Sequence, residues 1–222
     1  MNAARRVLVL YLVAIFSSMI VSGAADEWRE LFNGKDLSGW RANTQPEAFT
    51  VVEGAVRAHA PKPYAHLFYV GDGSPEGARF KNFELEVVAR GEPNANSGIF
   101  FHSDIDSGRG GRLALSQGYE VQLNSSPGET RKTGSLYGVV DIAKSPVDET
   151  QWFTIRIRVQ EKHVVVHVND QQVVDYTEPD DPQRPGGFEG KRISSTGGAI
   201  ALQAHDPGSV FYFKSIRIKR LP

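Results

Sequence analysis

The sequence predicts an all-β protein, a sandwich or jelly roll built from short antiparallel strands. Segments in which apolar and polar residues alternate recur at spacings of about ten residues. Glycine and proline are frequent, with 22 and 12 residues in a chain of 222, as the many turns of such a fold require. No helical repeat of useful length occurs after the N-terminal segment.

The first 25 residues are predicted to be a signal peptide, outside the fold. Arg5 and Arg6 precede an apolar run from Val7 to Val21, and small residues follow at 22–25. A retained membrane anchor is the alternative, but the run is short for a full span. We therefore expect an exported protein whose residues 26–222 form one domain, without a membrane span after cleavage.

The composition excludes several classes of function. A formal net charge of -1 provides no field that would attract nucleic acid or an anionic membrane. The chain has no cysteine, which excludes disulfides, a thiol nucleophile and thiolate metal sites. An exported chain of this size must then be stabilised by its hydrophobic core. The sequence indicates neither a cofactor nor an oligomeric state.

The N-terminal half of the domain contains the clearest strand patterns. Glu53-Gly54 is predicted to be the two-residue turn of a hairpin between 49–52 and 55–58. In the segment 80–90 every second residue is apolar, while Glu84 and Glu86 occupy the intervening positions. With two further segments, the predicted strands of this half are 49–52, 55–58, 66–70, 80–90 and 96–102.

The C-terminal half continues the pattern. Thr154, Arg156 and Arg158 alternate with apolar residues, and Asn169-Asp170 forms a tight turn in the meander that follows. A charged, proline-containing loop spans 178–195. The predicted strands of this half are 118–124, 152–159, 163–168, 172–176, 198–204 and 209–219.

Two of these strands carry an unusual polar face. In the strand 118–124, Glu120, Gln122 and Asn124 lie opposite three apolar residues. In the strand ending near 205, Gln203 and His205 share one face in the same way. Carboxylates and amides hydrogen-bond hydroxyls in several directions, so the two faces together predict a sugar-binding cleft. Solvated strand faces without a role are the alternative.

Several stretches resemble the 3-keto-disaccharide hydrolase domain, formerly a domain of unknown function (DUF1080). They occur in the family's order over nearly all of residues 26–222. One departure is the turn after Gln203, which reads Ala204-His205-Asp206-Pro207-Gly208. The matching pieces are Leu31-Phe32-Asn33-Gly34-Lys35-Asp36-Leu37-Ser38-Gly39-Trp40, Asn96-Ser97-Gly98-Ile99-Phe100, Gly118-Tyr119-Glu120-Val121-Gln122, Tyr137-Gly138, Trp152 with its meander, Leu202-Gln203-Ala204-His205 and Phe213-Lys214-Ser215-Ile216-Arg217-Ile218.

The resemblance implies a concanavalin A-like jelly-roll sandwich of two antiparallel sheets. It also implies hydrolysis of glycosides that carry a ketone at C3 of the sugar, so the expected partner is a small carbohydrate. Such a ketone acidifies the proton on C2 and places the C1 oxygen β to the carbanion. Elimination then needs a base and an acid, followed by addition of water. Direct hydrolysis by two carboxylates is the other route.

We predict that Glu120 is the catalytic carboxylate in either route, with His205 as its acid/base partner. Gln122 and Gln203 would orient hydroxyls or polarise the ketone, and Tyr137 and His102 are further candidates for substrate binding. The structural alternatives are a salt-bridged carboxylate for Glu120 and a turn residue for His205.

No metal site is predicted. Asp104 and Asp106 begin a segment like a calcium loop, but the distal glutamate is missing. A divalent ion on Glu120 with His205 or His102 stays open. Asp141 and Lys144 are interpreted as a loop ion pair.

Two other functions compete with the enzyme. A non-catalytic carbohydrate-binding jelly roll would need aromatic platforms, for which the candidates are Trp40, Tyr64, Tyr69 and Tyr119. A structural or adhesion domain would present a sheet face without a cleft. Glu120 and His205 favour the enzyme, because a binding module has less need of an acid and a base.

Overall fold

The chain folds into two antiparallel β-sheets packed face to face. The computed structural model describes residues 27–74, 77–105, 115 and 117–222, so the predicted signal peptide lies outside the described residues. One short 3-10 turn, Pro46–Ala48, is present among them. Within the same part of the chain, no helix has both the length and the apolar character needed to cross a membrane.

The larger sheet has eight strands. Its central path runs β11-β10-β9-β6-β13-β4-β3, and β1 pairs with β13 outside this path. Its strands are β1 (Arg29–Glu30), β3 (Phe49–Val52), β4 (Ala55–Ala58), β6 (Phe83–Gly91), β9 (Phe153–Gln160), β10 (His163–Val168), β11 (Gln171–Thr177) and β13 (Phe211–Arg220).

The smaller sheet has five strands in the order β2-β5-β12-β7-β8. Apart from β7 and β8, neighbours in this order are not consecutive in the chain, so the sheet brings together segments that are distant in sequence. Its strands are β2 (Trp40–Ala42), β5 (Ala65–Tyr69), β7 (Asn96–Ser103), β8 (Tyr119–Asn124) and β12 (Ala199–Ala204).

The hydrophobic core lies between the sheets and confirms the predicted alternation. Phe83, Leu85 and Val87 of β6 are fully buried in it. On the opposite face of that strand, Glu86 pairs with Arg156 and Arg217 from the two neighbouring strands. The alternation predicted both the strand and the face that it buries.

The predicted hairpin turn at Glu53-Gly54 is confirmed. Both residues have positive φ, 50° and 74°, as a type I′ turn requires, and Gly54 adopts this conformation without steric cost. The turn sets the pairing of Val52 with Ala55.

Three of the aromatic residues proposed as sugar platforms are core residues. Tyr119 is fully buried, Trp40 is 7% exposed and Tyr69 is 9% exposed, and all three belong to the cluster between the sheets. The Trp40 indole N–H donates to the carbonyl of Leu31 at 2.8 Å. The prediction of a platform at these three positions is therefore wrong, because their faces of β8, β2 and β5 point inward.

Candidate active site

The outer face of the five-stranded sheet is divided into an apolar and a polar part. Phe68, Phe100 and Ala201 form a small apolar cluster on it, separate from the main core. Beyond Phe100 the side chains become polar. The polar part borders a cavity of about 170 Å³ lined by Tyr64, Asn96, Phe100, Leu115, Glu120, Gln122, Glu129, Tyr137, Gly187, Phe188, Lys191, Gln203 and His205.

Five of the six predicted site residues meet in this cavity. Glu120 and Gln122 come from β8, Gln203 and His205 from β12 and the turn after it, and Tyr137 from the loop that pairs with β8. The cavity is not the largest one. A space of about 530 Å³ lies beside Trp28 and Arg220, but its two carboxylates, Glu27 and Glu30, are exposed. Of these two cavities, only the smaller one combines a buried carboxylate with a histidine.

Glu120 is a buried carboxylate that the described part of the chain compensates only weakly by opposite charge. It is 8% exposed, and its ion-pair partner Lys191 places Nζ 3.9 Å from Oε2, beyond hydrogen-bonding distance. Burial raises the pKa of Glu120 to about 7; the charge of Lys191 opposes this effect and that of Glu129 adds to it. A carboxylate poised near neutral pH is suited to accept a proton.

Glycine at position 98 makes room for this carboxylate. Gly98 pairs with Gln122 across β7 and β8, beside Glu120. A Cβ at this position would lie 2.5 Å from Glu120 Oε1. Any larger residue would therefore displace the carboxylate from its place in the cavity.

His205 is held by an aspartate that follows it in the chain. Its Nδ1 lies 2.6 Å from Asp206 Oδ2, and its ring packs edge-on against Tyr64 at 5.0 Å. Asp206 is fixed in turn by Ser209 Oγ at 2.9 Å and the Gly208 N–H at 2.7 Å. The carboxylate fixes the tautomer with hydrogen on Nδ1 and leaves Nε2 for proton exchange.

Gln203 is oriented by a neutral histidine. Its Nε2 lies 3.3 Å from Nε2 of His66, and burial lowers the pKa of His66 to about 3, with the nearby His205 as a second cause. Gln203 Oε1 and Asn96 Oδ1 are both buried without a hydrogen-bond partner among the described residues. Both residues line the cavity, so these two oxygens are available to hydrogen-bond hydroxyl groups of a ligand.

Tyr137 forms a second wall together with charged neighbours. Its hydroxyl donates to Glu129 Oε2 at 3.2 Å, and the Arg131 guanidinium lies 4.7 Å from its ring centroid. Burial and the nearby Glu129 raise the pKa of Tyr137 to about 12. The phenol therefore stays protonated at neutral pH and acts as a hydrogen-bond donor.

The structure corrects the prediction for His102. Simple alternation along β7 places it on the outer face with Phe100, but its φ of 54° turns the side chain away. Its ring packs against Phe83 and Phe101, Nε2 lies 2.9 Å from the Lys81 carbonyl, and Nδ1 accepts the Ser194 N–H at 3.1 Å. Both nitrogens are occupied and the pKa is lowered by burial to about 4, so His102 is structural.

Two other predictions concern loops. Asp141 pairs with Arg131 at 3.0 Å, and not with Lys144 as the sequence suggested. Residues 106–108 of the calcium-like segment lie outside the described residues. Within the described ranges, no group of three or more histidine, aspartate or glutamate side chains is arranged to hold a metal ion.

Residues of the cavity that sequence reasoning missed include Asn96, Glu129, Phe188 and Lys191. Asn96 had a usable signal, because it precedes Gly98 and Phe100 by two and four positions on the outer face of β7. The other three come from loops without periodicity. No pattern in those loops indicates that they fold back over the sheet.

The two packed antiparallel sheets define a jelly-roll sandwich of the concanavalin A-like class. A crystal structure from Parabacteroides distasonis, provisionally named a glycosyl hydrolase, superposes with a TM-score of 0.70 at 22% identity and covers 88% of this chain and 94% of its own. The carbohydrate-binding module CBM66 of Bacillus subtilis gives a TM-score of 0.54 at 13% identity, over 82% of this chain and 95% of that module.

Comparison of the sequence with known protein families identifies the family within this fold class. Residues 27–219 match the model of the 3-keto-alpha-glucoside-1,2-lyase-like domain, and the chain belongs to that family. A 3-keto-disaccharide hydrolase of Bacteroides thetaiotaomicron is 25% identical over 236 aligned positions, which cover 89% of this chain and 79% of the relative. The resemblance read from the sequence motifs is confirmed.

Proposed function

We propose that this protein cleaves the glycosidic bond of 3-keto-disaccharides and related 3-keto-glycosides. One observation carries the proposal: a buried carboxylate with a pKa of about 7, Glu120, shares a cavity with a histidine held by an aspartate, His205. Membership in the lyase-like family and the hydrolase named among its relatives support the same chemistry.

Glu120 is the base in the proposed elimination. It takes the proton from C2, and the electron pair of the C–H bond moves to the C3 oxygen to form an enolate. The enolate then collapses, the bond from C1 to the glycosidic oxygen breaks, and a double bond forms between C1 and C2. A base with a pKa near the working pH combines a large ionised fraction with useful basicity.

His205 supplies the proton that the leaving oxygen needs. Its Nδ1 is fixed by Asp206, so Nε2 carries and delivers the proton. Addition of water to the enone then places a hydroxyl on C1 and a proton on C2. The sum is hydrolysis of the glycosidic bond, with base and acid returned to their starting states.

The amides and the phenol of the cavity bind the sugar. Gln203 Oε1 accepts a hydroxyl proton, and so does the phenol oxygen of Tyr137, whose own proton is donated to Glu129. Gln122 provides a second amide beside Glu120. A cavity of about 170 Å³ accommodates one sugar ring more readily than two. The second sugar of a disaccharide would then extend toward solvent.

A carbohydrate-binding module is the second candidate, because CBM66 shares this fold. Binding alone does not require a buried carboxylate near neutral pKa. Of the four aromatic residues considered as platforms, Tyr64 lines the cavity, and the other three are in the core: Trp40, Tyr69 and Tyr119. The buried carboxylate and the partly buried histidine in the same cavity therefore favour catalysis.

We also propose that the protein acts outside the cytoplasm. The support is the order of Arg5 and Arg6, the apolar run 7–21 and the small residues at 22–25. Expression with the native N-terminus should yield a secreted or periplasmic chain beginning near Asp26. Mass spectrometry that finds residues 1–25 still attached would contradict this.

The function is tested by incubating the protein with 3-keto-trehalose and 3-keto-lactose and following release of 3-keto-glucose. Wild type should release the ketosugar, and Glu120→Gln should lose at least about a hundredfold in kcat because the base is gone. Glu47→Gln, an exposed carboxylate on the Pro46–Ala48 turn, is the matched control and should retain full activity. Parallel samples with EDTA test whether a metal takes part.

The outcomes separate the candidates. If wild type releases the ketosugar and Glu120→Gln does so equally well, the protein is an enzyme but Glu120 is not its catalytic residue. Absence of release from both substrates, together with calorimetric binding of the same sugars, identifies a binding module.

A further inference from the structure

The ammonium group of Lys191 occupies an unusual position in the cavity. Its side chain is 11% exposed, and Nζ lies 4.9 Å from the ring centroid of Tyr137 and 5.4 Å from that of Phe188. Burial lowers the pKa of Lys191, while the charge of Glu120 opposes this effect. The two ring faces and that carboxylate stabilise the charged form of the amine.

Among the described residues, these contacts leave the N–H groups of Lys191 available. Aromatic faces attract a cation without accepting conventional hydrogen bonds from it, and Glu120 Oε2 at 3.9 Å is beyond hydrogen-bonding distance. A buried ammonium normally has hydrogen-bond acceptors around it. Its position at the cavity wall therefore suits an anionic or strongly polar oxygen of the bound ligand.

The distance between Lys191 and Glu120 matches a particular demand of enolate chemistry. The proton leaves C2 while negative charge develops on the oxygen of C3, the adjacent carbon. Base and cation must then stand side by side at the same edge of the sugar, as these two groups do at 3.9 Å. The other polar side chains of the cavity are carboxylates, amides, phenols and a histidine, so Lys191 is the only lysine or arginine among the described residues that line it.

We propose that Lys191 is a catalytic residue that binds the C3 ketone oxygen of the substrate and stabilises the enolate by its charge. This inference rests on the proposed function and identifies the ketone as the group that selects the substrate. As Glu120 accepts the C2 proton, the electron pair reaches the C3 oxygen beside Nζ. Lys191 keeps its own proton and forms no covalent bond.

This role of Lys191 requires a sugar that is oxidised at C3. An ordinary glycoside presents a C3 hydroxyl, which cannot take up the electron pair from C2. Interaction of Lys191 with that hydroxyl is weak compared with its interaction with an enolate, whose full charge develops in a site shielded from water. Unoxidised trehalose and lactose should therefore not be cleaved.

The test compares Lys191→Met and Lys191→Arg with wild type on 3-keto-trehalose. Loss of the charge in Lys191→Met should lower kcat by about 10²–10³-fold, the usual cost of one oxyanion-stabilising group. The kcat of Lys191→Arg should be at least about tenfold higher than that of Lys191→Met, because arginine keeps the charge although its geometry differs. Lys35→Met, an exposed lysine on the turn after Asn33, is the control and should leave kcat unchanged.

Two further readouts distinguish an electrostatic role from a structural one. Exchange of the C2 proton of 3-keto-glucose in D₂O, followed by NMR, should be fast with wild type and at least about a hundredfold slower with Lys191→Met. The acidic limb of the pH profile of kcat/KM, measured on the residual activity of Lys191→Met, should move to higher pH. The reason is that Glu120 loses the positive charge that holds its pKa down. Thermal unfolding of each variant shows that the compared proteins are folded.

The outcomes are separable. If wild type cleaves the substrate and Lys191→Met stays within about threefold of wild type in both ketosugar release and C2 proton exchange, the role of Lys191 is overturned. The proposed function would then still stand. A borohydride-trapped adduct on Lys191 replaces the electrostatic role by an imine and overturns the proposal as stated. A wild type that releases no ketosugar overturns the proposed function and this inference together.

Discussion

At the scale of single residues, the two carboxylates to which we assign roles in catalysis, Glu120 and Asp206, have opposite environments. Glu120 is buried with a distant counter-charge, and burial raises its pKa to about 7. Asp206 is also partly buried, which by itself raises its pKa. Its hydrogen bonds from His205, Ser209 and the Gly208 N–H outweigh that effect and lower the pKa. Glu120 is thus able to take up a proton near neutral pH, whereas Asp206 stays ionised and holds His205.

The pKa of Glu120 predicts the acidic limb of the activity profile. The base must be ionised to act, so kcat/KM should rise with pH and level off above about pH 7. Release of 3-keto-glucose measured from about pH 5 to pH 9 checks this, with salt held constant. A profile that is flat through this range, or that falls as pH rises toward 7, would show that Glu120 is not the base.

Replacement of Asp206 by asparagine should weaken the acid. Asp206→Asn removes the charge that supports the imidazolium of His205, so kcat on 3-keto-trehalose should fall at least about tenfold. A 3-keto-glucoside with a nitrophenol leaving group needs less protonation and should be affected much less. Asp148→Asn removes a comparable turn carboxylate away from the cavity and serves as the control. Equal losses on both substrates would assign Asp206 a purely structural role.

At the scale of elements, the loop 178–195 closes one side of the cavity and is fastened at its base. Arg184 donates to the hydroxyl groups of Tyr119 and Tyr176, each at 2.8 Å. Tyr119 donates in turn to Glu178, whose Oε2 also accepts the Ile193 N–H at 2.9 Å. Arg184 Nε donates to the carbonyl of Lys191 at 3.0 Å. This buried network therefore fixes the backbone of the residue whose side chain faces Glu120.

Loss of the tyrosine hydroxyl should loosen this loop. Tyr119→Phe leaves Glu178 and Arg184 buried with fewer partners, which should lower the free energy of unfolding by about 1–3 kcal/mol. We also expect a fall in kcat, because Lys191 loses its fixed position. Urea unfolding and ketosugar release measure the two effects.

The matched control for this change is Tyr212→Phe. The Tyr212 hydroxyl donates to Glu92 at 3.0 Å in a more exposed setting, so its removal should cost less than about 0.5 kcal/mol. If both variants behave alike, the network does not position the loop.

At the scale of the whole molecule, one hydrophobic core spans both sheets. The same buried cluster contains residues from strands of the larger sheet and of the smaller one, among them Leu85 and Leu123. Two sheets that share one core cannot lose their packing separately. We therefore expect one cooperative unfolding transition.

A truncation in this core should lower stability without selective loss of chemistry. Leu85→Ala should cost about 2–5 kcal/mol through lost burial and the cavity left behind. Val52→Ala, at a residue that is 41% exposed, should cost less than about 0.5 kcal/mol. Urea unfolding followed by tryptophan fluorescence and circular dichroism checks both values. Transitions that differ between the two probes would contradict a single cooperative unit.

Strand faces were the part of the site that sequence reasoning predicted. A period of two assigns Glu120 and Gln122 to one face of β8 and Gln203 to one face of β12, and the structure places them in one cavity. The same rule failed at His102, because a residue with positive φ at the end of β7 breaks the alternation. Periodicity holds only as long as the backbone stays extended.

The sequence by itself determined the fold class, the family and the inward and outward faces of most strands, because these depend on local patterns and ordered motifs. Only the tertiary structure decided which neighbours Glu120 has. Gly98, Lys191 and Glu129 reach it from β7 and from two loops that are far apart in the chain. The pKa of Glu120 depends on burial and on charges that folding brings near it, and neither quantity is a property of the residue's own segment.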